Sequence, residues 1–127
     1  MKVFIDSDIL IWYLRGEKKA GNFLNRLRSN TNNELWIGAM QRAEIIFFML
    51  PNEEEDTLLL LSHFKTADVD QKCVDVAAQV YRRWHKSHGT DVNDAILAAT
   101  VMQAGGKIIS LNYKHYPMPE IIVEKPW

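Results

Sequence analysis

The chain has 127 residues, enough for one domain with a sizeable core and too few for two, and the whole of 1–127 reads as a single domain. Its hydrophobic fraction of 47% excludes a disordered chain, and no run of about 20 apolar residues exists to span a membrane. A formal net charge of −1 excludes binding to nucleic acid by charge alone, and the lone Cys73 excludes an internal disulfide and fits a reducing, cytoplasmic setting.

Lys2-Val3-Phe4-Ile5 is a short apolar run without alternation, the pattern of a strand buried on both faces of a parallel sheet. It stops at Asp6, so a carboxylate stands at the carboxyl end of the strand, where open α/β sheets place their ligands. The run is not read as a signal peptide: Asp6 and Asp8 break it, and no small-residue cleavage site follows. Ser7 or Asp8 caps a short helix over Ile9–Arg15 that Gly16 ends. Ala20–Ser29 is a second helix, with Phe23, Leu24 and Leu27 on one face. Leu35-Trp36-Ile37 is a second buried strand. Gly38–Leu50 is a third helix with Ala43, Ile46, Phe47 and Leu50 at core spacing and Glu44 among them.

Pro51 ends that helix, and Asn52 with Glu55 resembles a capping pair. Glu53, Glu54 and Asp56 complement the dipole of the fourth helix, whose apolar part is Leu58–Leu61. A third strand falls within Phe64–Val69. Gln71–Ser87 is a long helix with Val74, Ala77, Ala78 and Tyr81 inward. Asp91-Val92-Asn93-Asp94 opens a helix over Ala95–Ala104 that is nearly all small or apolar, hence buried. Gly105-Gly106 stops it. Lys107–Ser110 is a fourth strand, followed by Asn112, and Glu120–Val123 is a last strand. Strands alternate with helices, so the fold class is α/β with a mostly parallel central sheet of about four or five strands.

In a right-handed parallel sheet Asp6, Glu44, Asp94 and Asn112 share one rim. Three close carboxylates repel one another, and a hard divalent cation removes that cost. Acids without His or Cys companions favour Mg2+ or Mn2+ over zinc. Each acid also has a local structural reading. Asp6 serves as a cap or turn residue, Asp94 as half of a capping pair with Asp91, and Glu44 as a partner of Arg42 or Arg15. Only convergence on one rim favours the chemical reading over all three. Asp91 is read as a cap or an outer ligand, and Asp8 as a cap.

The stretches Phe4–Ile11, Ala43-Glu44, Asn93–Thr100 and Ile109–Pro117 together resemble a PIN domain, most of all the VapC-type toxins of toxin–antitoxin pairs. The resemblance covers nearly the whole chain, in order. It implies a PIN-like α/β/α sandwich and a Mg2+- or Mn2+-dependent ribonuclease whose products carry 5′-phosphate and 3′-hydroxyl ends. It also implies a cognate antitoxin that blocks the site, and a homodimer. By motif position Asp6, Glu44 and Asp94 correspond to the family's metal ligands, and Asn112 to a fourth site position where many members have Asp. Three departures stand out. Neutral Asn112 removes one charge and disfavours a second tightly held metal. His115 stands where many relatives have an acid. Gln41 replaces a small hydroxyl residue.

Ser110 and His115 are read as outer contacts of the site, His115 chiefly as packing beside Tyr116. Arg82, Arg83 and Lys86 form a basic stretch that either guides an RNA backbone or is a solvated helix face. Trp12, Tyr13, Phe47 and Phe48 exceed what one small core needs and suit an apolar groove for an antitoxin helix or a dimer contact. Two other functions fit parts of the pattern. Asp6-Ser7-Asp8 after a strand superficially fits the nucleophile motif of haloacid-dehalogenase phosphatases, although no adjacent Asp-Asp occurs. A binding module could keep the acid rim without catalysis.

Overall fold

The computed structural model describes residues 1–127. In chain order the elements are β1 (Lys2–Ile5), α1 (Ser7–Leu14), α2 (Lys18–Ser29), β2 (Glu34–Gly38), α3 (Ala39–Phe48) and α4 (Glu54–Leu61). They continue with β3 (Lys65–Ala67), α5 (Gln71–His88), α6 (Val92–Ala104), β4 (Lys107–Ile109) and β5 (Ile122–Glu124). Short 3-10 turns lie at Pro51–Glu53 and Tyr113–His115.

The five strands form one sheet in the order β3-β2-β1-β4-β5, and every pairing is parallel. β1 is central, which explains its uninterrupted apolar run: Val3, Phe4 and Ile5 are fully buried. Val3 and Ile5 enter a core with α1, α2, α3 and α4, while Phe4 enters a second core under α5 and α6. The sheet is thus sandwiched between two helical layers. The chain winds from β1 outward through β2 to β3, then returns to the other side of β1 for β4. That reversal opens a crevice between the carboxyl ends of β1 and β4, the place where such sheets bind ligands. No helix is long and apolar enough to cross a membrane.

Local details differ from expectation where one residue's side chain settles a boundary. Asp6, not Ser7 or Asp8, is the N-cap of α1, because its carboxylate accepts from the Ser7 N–H at 2.9 Å. Asp8 lies in the first turn. One of its oxygens accepts from Ile9 N–H at 2.7 Å, and the other ties down Leu111 N–H at 3.1 Å. Asn52 caps nothing; Glu53 reaches back to the Leu50 N–H at 2.7 Å. β5 begins at Ile122 rather than Glu120.

Two helix faces are also rotated from the sequence reading. α3 stops at Phe48 and buries Gln41 and Ile45, leaving Phe47 78% and Leu50 59% exposed. Its carboxyl half is apolar all round, so periodicity does not select a face. α5 buries Cys73, Ala77 and Val80, whereas Val74 is 49% exposed. Val74, Ala78 and Tyr81 instead line an open apolar groove with Val92 and Ile96 of α6.

Candidate active site

Asp6 follows the last residue of β1, and its N–H donates to the Ile109 carbonyl at 3.0 Å, so the β1–β4 ladder carries it into the crevice. It is 5% exposed. One carboxylate oxygen accepts from Ser7 N–H, and the other from Ser110 Oγ at 2.8 Å and Tyr116 Oη at 2.7 Å. Asp94 arrives from α6. Asp91 caps that helix by accepting from Asp94 N–H at 2.7 Å, and Asp94 Oδ2 accepts from Asp91 N–H at 3.1 Å. The capping reading is therefore correct, and it does not exhaust the residue. Asp94 Oδ1 faces Tyr116 Oη at 3.0 Å, and His115 Nδ1 lies 3.2 Å from Asp94 Oδ2.

Glu44 comes from the second turn of α3. It pairs with neither Arg42 nor Arg15; its Oε2 accepts from Ser7 Oγ at 3.4 Å. Burial raises its pKa, and the negative charge of Asp6 raises it further. Asp6 is shifted upward by burial against the opposing effect of its three donors. Asp94 rises to about 6, through burial first and then the charge of Asp91 among others. Asp8 also rises to about 6, through burial and then the charge of Asp6. Tyr116 is pushed well above its usual range by burial and the two facing acids, so its hydroxyl stays a donor.

These shifts carry a stability prediction. An acid whose folded pKa exceeds its unfolded value holds its proton more tightly in the native state. The contribution of Asp8 and Asp94 is therefore greatest at low pH and is lost as pH rises from about 4 to about 6. Denaturant titrations of metal-free protein, compared with Asp8→Asn, are expected to show a decline through that window that the variant flattens.

Asp6, Glu44 and Asp94 are thus brought to one crevice, with Asp91 and Ser110 in contact with them. As the side chains stand, no three acids meet at a single coordination point. The donor set still suits a hard cation. An ionised carboxylate offers about four lone-pair directions. The contacts above leave one on Asp6 Oδ1 and one on Asp94 Oδ1, and every donor is oxygen, the preference of Mg2+ and Mn2+.

Other expected residues fall outside this cluster. Asn112 is exposed; its backbone N–H donates to Ser110 Oγ at 3.0 Å, and its amide makes no hydrogen bond to the acids. Arg82, Arg83 and Lys86 are exposed on α5 and touch none of the acids. Arg83 is engaged by Glu120 at 3.2 Å and lies over the Trp84 ring.

Tyr116, Ser7 and Thr90 were not legible as parts of the site. Thr90 is fully buried and donates through Oγ1 to the His115 carbonyl at 2.7 Å. The Thr90 carbonyl can only accept, so His85 Nδ1, 2.8 Å away, carries its proton there. The only signal for Tyr116 was general: a buried tyrosine needs a partner for its hydroxyl. Gln41 answers part of its own puzzle, since its Nε2 reaches the Asn93 carbonyl at 3.5 Å and ties α3 to the start of α6.

Comparison with known proteins places this arrangement. A family model described as the PIN domain matches residues 3–120. Ribonuclease VapC10 of Mycobacterium tuberculosis is 30% identical over 119 residues, covering 93% of this chain and 88% of the relative. Ribonuclease VapC19 of the same organism is 29% identical, covering 90% and 91%. Among solved structures, VapBC2 from Rickettsia felis bound to a promoter DNA fragment superposes with a TM-score of 0.80 at 19% identity, covering 100% of this chain and 99% of that one. A toxin–antitoxin complex from Klebsiella pneumoniae gives 0.78 at 21% identity, covering 98% of each. At those identities the structural matches speak for the fold.

Proposed function

The chain belongs to the PIN domain family, and from that premise we propose that it is a ribonuclease, the toxin of a toxin–antitoxin pair, cutting RNA at Asp6, Glu44 and Asp94 with a divalent cation bound. The observation that carries this reading is the crevice itself. Two buried carboxylates from β1 and α6, and a third from α3, share the switch point of a parallel sheet. Asp6, Glu44 and Asp94 are the residues that would hold Mg2+ or Mn2+. When bound, such an ion polarises water and neutralises charge on a phosphate. Asp6 and Asp94 are too enclosed to leave their places. Glu44, half-buried where Asp6 and Asp94 are enclosed, is the carboxylate suited to take the proton of the attacking water. Asn112, exposed and bonded through its backbone N–H to Ser110 Oγ, is the residue we assign to orienting water or the RNA backbone. In-line attack on the phosphodiester leaves 5′-phosphate and 3′-hydroxyl ends. Aspartyl-phosphate chemistry is disfavoured, because Asp6 already accepts three hydrogen bonds.

The test is cleavage of total and transfer RNA by purified protein freed of any partner. Cutting is expected with Mn2+ or Mg2+ and is expected to vanish in EDTA. Folded, metal-loaded protein that cuts no RNA of any class would leave the binding-module reading in its place.

An antitoxin segment is the proposed occupant of the apolar surface beside the site. Trp12, Tyr13, Phe47 and Phe48 are all exposed, and Tyr13 also lines an open cavity of about 700 Å³ whose walls mix Leu24 and Leu59 with Arg28, Glu53 and Asp56. Exposed aromatic side chains are enriched at protein contacts. Phe47→Asp is expected to weaken antitoxin binding by about thirtyfold, the range of a hot-spot aromatic. Equal titration curves for parent and variant would exclude Phe47 from the interface. A homodimer is also proposed, with the α5–α6 groove as its contact; sedimentation of the isolated chain tests it.

A further inference from the structure

We propose that Tyr116 is a positioning residue of this site: its buried hydroxyl pins Asp6 and Asp94 in one orientation, so that their remaining lone pairs face a cation together. The inference rests on the metal-nuclease reading of the acids. Tyr116 Oη lies 2.7 Å from Asp6 Oδ2 and 3.0 Å from Asp94 Oδ1, so its single proton is shared between the two acids, and it is the one group within hydrogen-bond reach of both. The other contacts are local to one acid or the other: Ser7 and Ser110 donate to Asp6, Asp91 donates to Asp94, and His115 Nδ1 lies 3.2 Å from Asp94 alone.

The tyrosine is itself held firmly. Its ring belongs to the core under α5 and α6 and is 3% exposed. Its N–H donates to the Tyr113 carbonyl at 3.1 Å, closing the 3-10 turn, and Thr90 Oγ1 holds the preceding carbonyl of His115. The hydroxyl therefore approaches the acids from the core side. It cannot meet RNA, so it acts through Asp6 and Asp94 and not on the substrate. Groups that orient metal ligands from behind commonly set affinity by ten- to a hundredfold. Tyr116 couples the end of β1 to the start of α6, two elements that reach the crevice from different layers.

The test is Mn2+ binding by calorimetry in the absence of RNA, on the parent chain, Tyr116→Phe and Tyr113→Phe. Tyr113 is exposed and touches none of the acids, so it serves as the comparator. Tyr116→Phe is expected to raise the Mn2+ Kd by about tenfold, and Tyr113→Phe to leave it unchanged. In cleavage assays at saturating metal, Tyr116→Phe is expected to lower kcat with KM for RNA unaltered. A Kd in Tyr116→Phe equal to or tighter than the parent's overturns the proposal, as does a parent chain that binds no Mn2+. Should Tyr116→Phe fail to fold, 3-fluorotyrosine at position 116 of the otherwise unchanged protein decides. Its fluorine resonance is expected to move on adding Mg2+, and a resonance that stays still overturns the proposal. A parent chain that binds Mn2+ but cuts no RNA removes the nuclease and leaves the role of Tyr116 standing. Cleavage with unaltered metal affinity in Tyr116→Phe does the reverse.

Discussion

Asp6→Asn is expected to lower kcat/KM for RNA cleavage on the order of a thousandfold while the protein stays folded. The magnitude follows from the several kcal/mol of charge stabilisation that a bound cation supplies to a phosphodiester transition state. The separation of activity from stability follows from the contacts. Asn keeps the shape of Asp and one acceptor oxygen, which suffices for Ser110 and Tyr116. It sets an amide donor against the Ser7 N–H, a loss of about 1 kcal/mol. Against that, it removes a carboxylate whose ionised form burial disfavours, so the two changes oppose each other. The melting temperature in EDTA should therefore change little, whereas the rise on adding Mg2+ should disappear. Glu44→Gln, at a half-buried position with a long contact to Ser7 Oγ of 3.4 Å, is expected to cost about a hundredfold in rate and less in metal affinity. Single-turnover cleavage with Mn2+ measures both variants. An Asp6→Asn protein that cuts within tenfold of the parent would remove Asp6 from the metal set. Full activity in Glu44→Gln would remove the proton-accepting role of Glu44.

What the chain disclosed in advance was governed by the range of the forces involved. β1 was readable because a fully buried central strand must be apolar at every position, as Val3, Phe4 and Ile5 are. α6 was readable because a helix pressed into a core must be small and apolar all round. The winding rule for parallel strands then set Asp6, Asp94 and Glu44 on one rim, and the parallel order found here agrees. Tyr116 was not readable. Its role depends on two carboxylates brought to it by β1 and α6, and no local pattern encodes that meeting. The buried faces of α3 and α5 were read only in part: Ala77 is buried and Ile46 and Tyr81 pack against the cores as expected, and the rest was missed for a related reason. Phe47 and Leu50 have core composition, but Phe47 lies on the outer face of α3 and Leu50 beyond its end at Phe48, so both are exposed. Val74 sits one position from the buried stripe Cys73–Ala77–Val80, a rotation that a helix of mixed composition does not reveal.

Gly106→Ala is expected to be the most disruptive single-methyl change in the chain, at about 3 kcal/mol or more of stability and a fall of about 10 °C in Tm. The sequence presents Gly105-Gly106 as a helix stop, but the two glycines do different things. Gly105 has φ +78 and open space where a side chain would stand. With ψ 174, Gly105 sits in a backbone region that is essentially glycine's alone, and Gly105→Ala should incur only that strain, about 1–3 kcal/mol. Gly106 has φ +102, and a Cβ there would lie 2.2 Å from the Lys2 carbonyl oxygen and 2.8 Å from Lys2 Cβ. The obstacle is backbone, so no rotamer relieves it. Lys2 opens β1, and the next residue, Val3, pairs with Lys107 at the start of β4. To admit the methyl group, the β1–β4 pair must separate at its amino end. The crevice that holds Asp6 and Ser110 lies at the other end of the same pair. Thermal melts of both alanine variants, with Mn2+ binding measured well below each midpoint, separate the effects. A loss of stability in Gly106→Ala no larger than in Gly105→Ala would show that β1 and β4 yield freely at this point. A larger loss with Mn2+ affinity retained would show that the amino end of the pair carries stability and the carboxyl end carries the site.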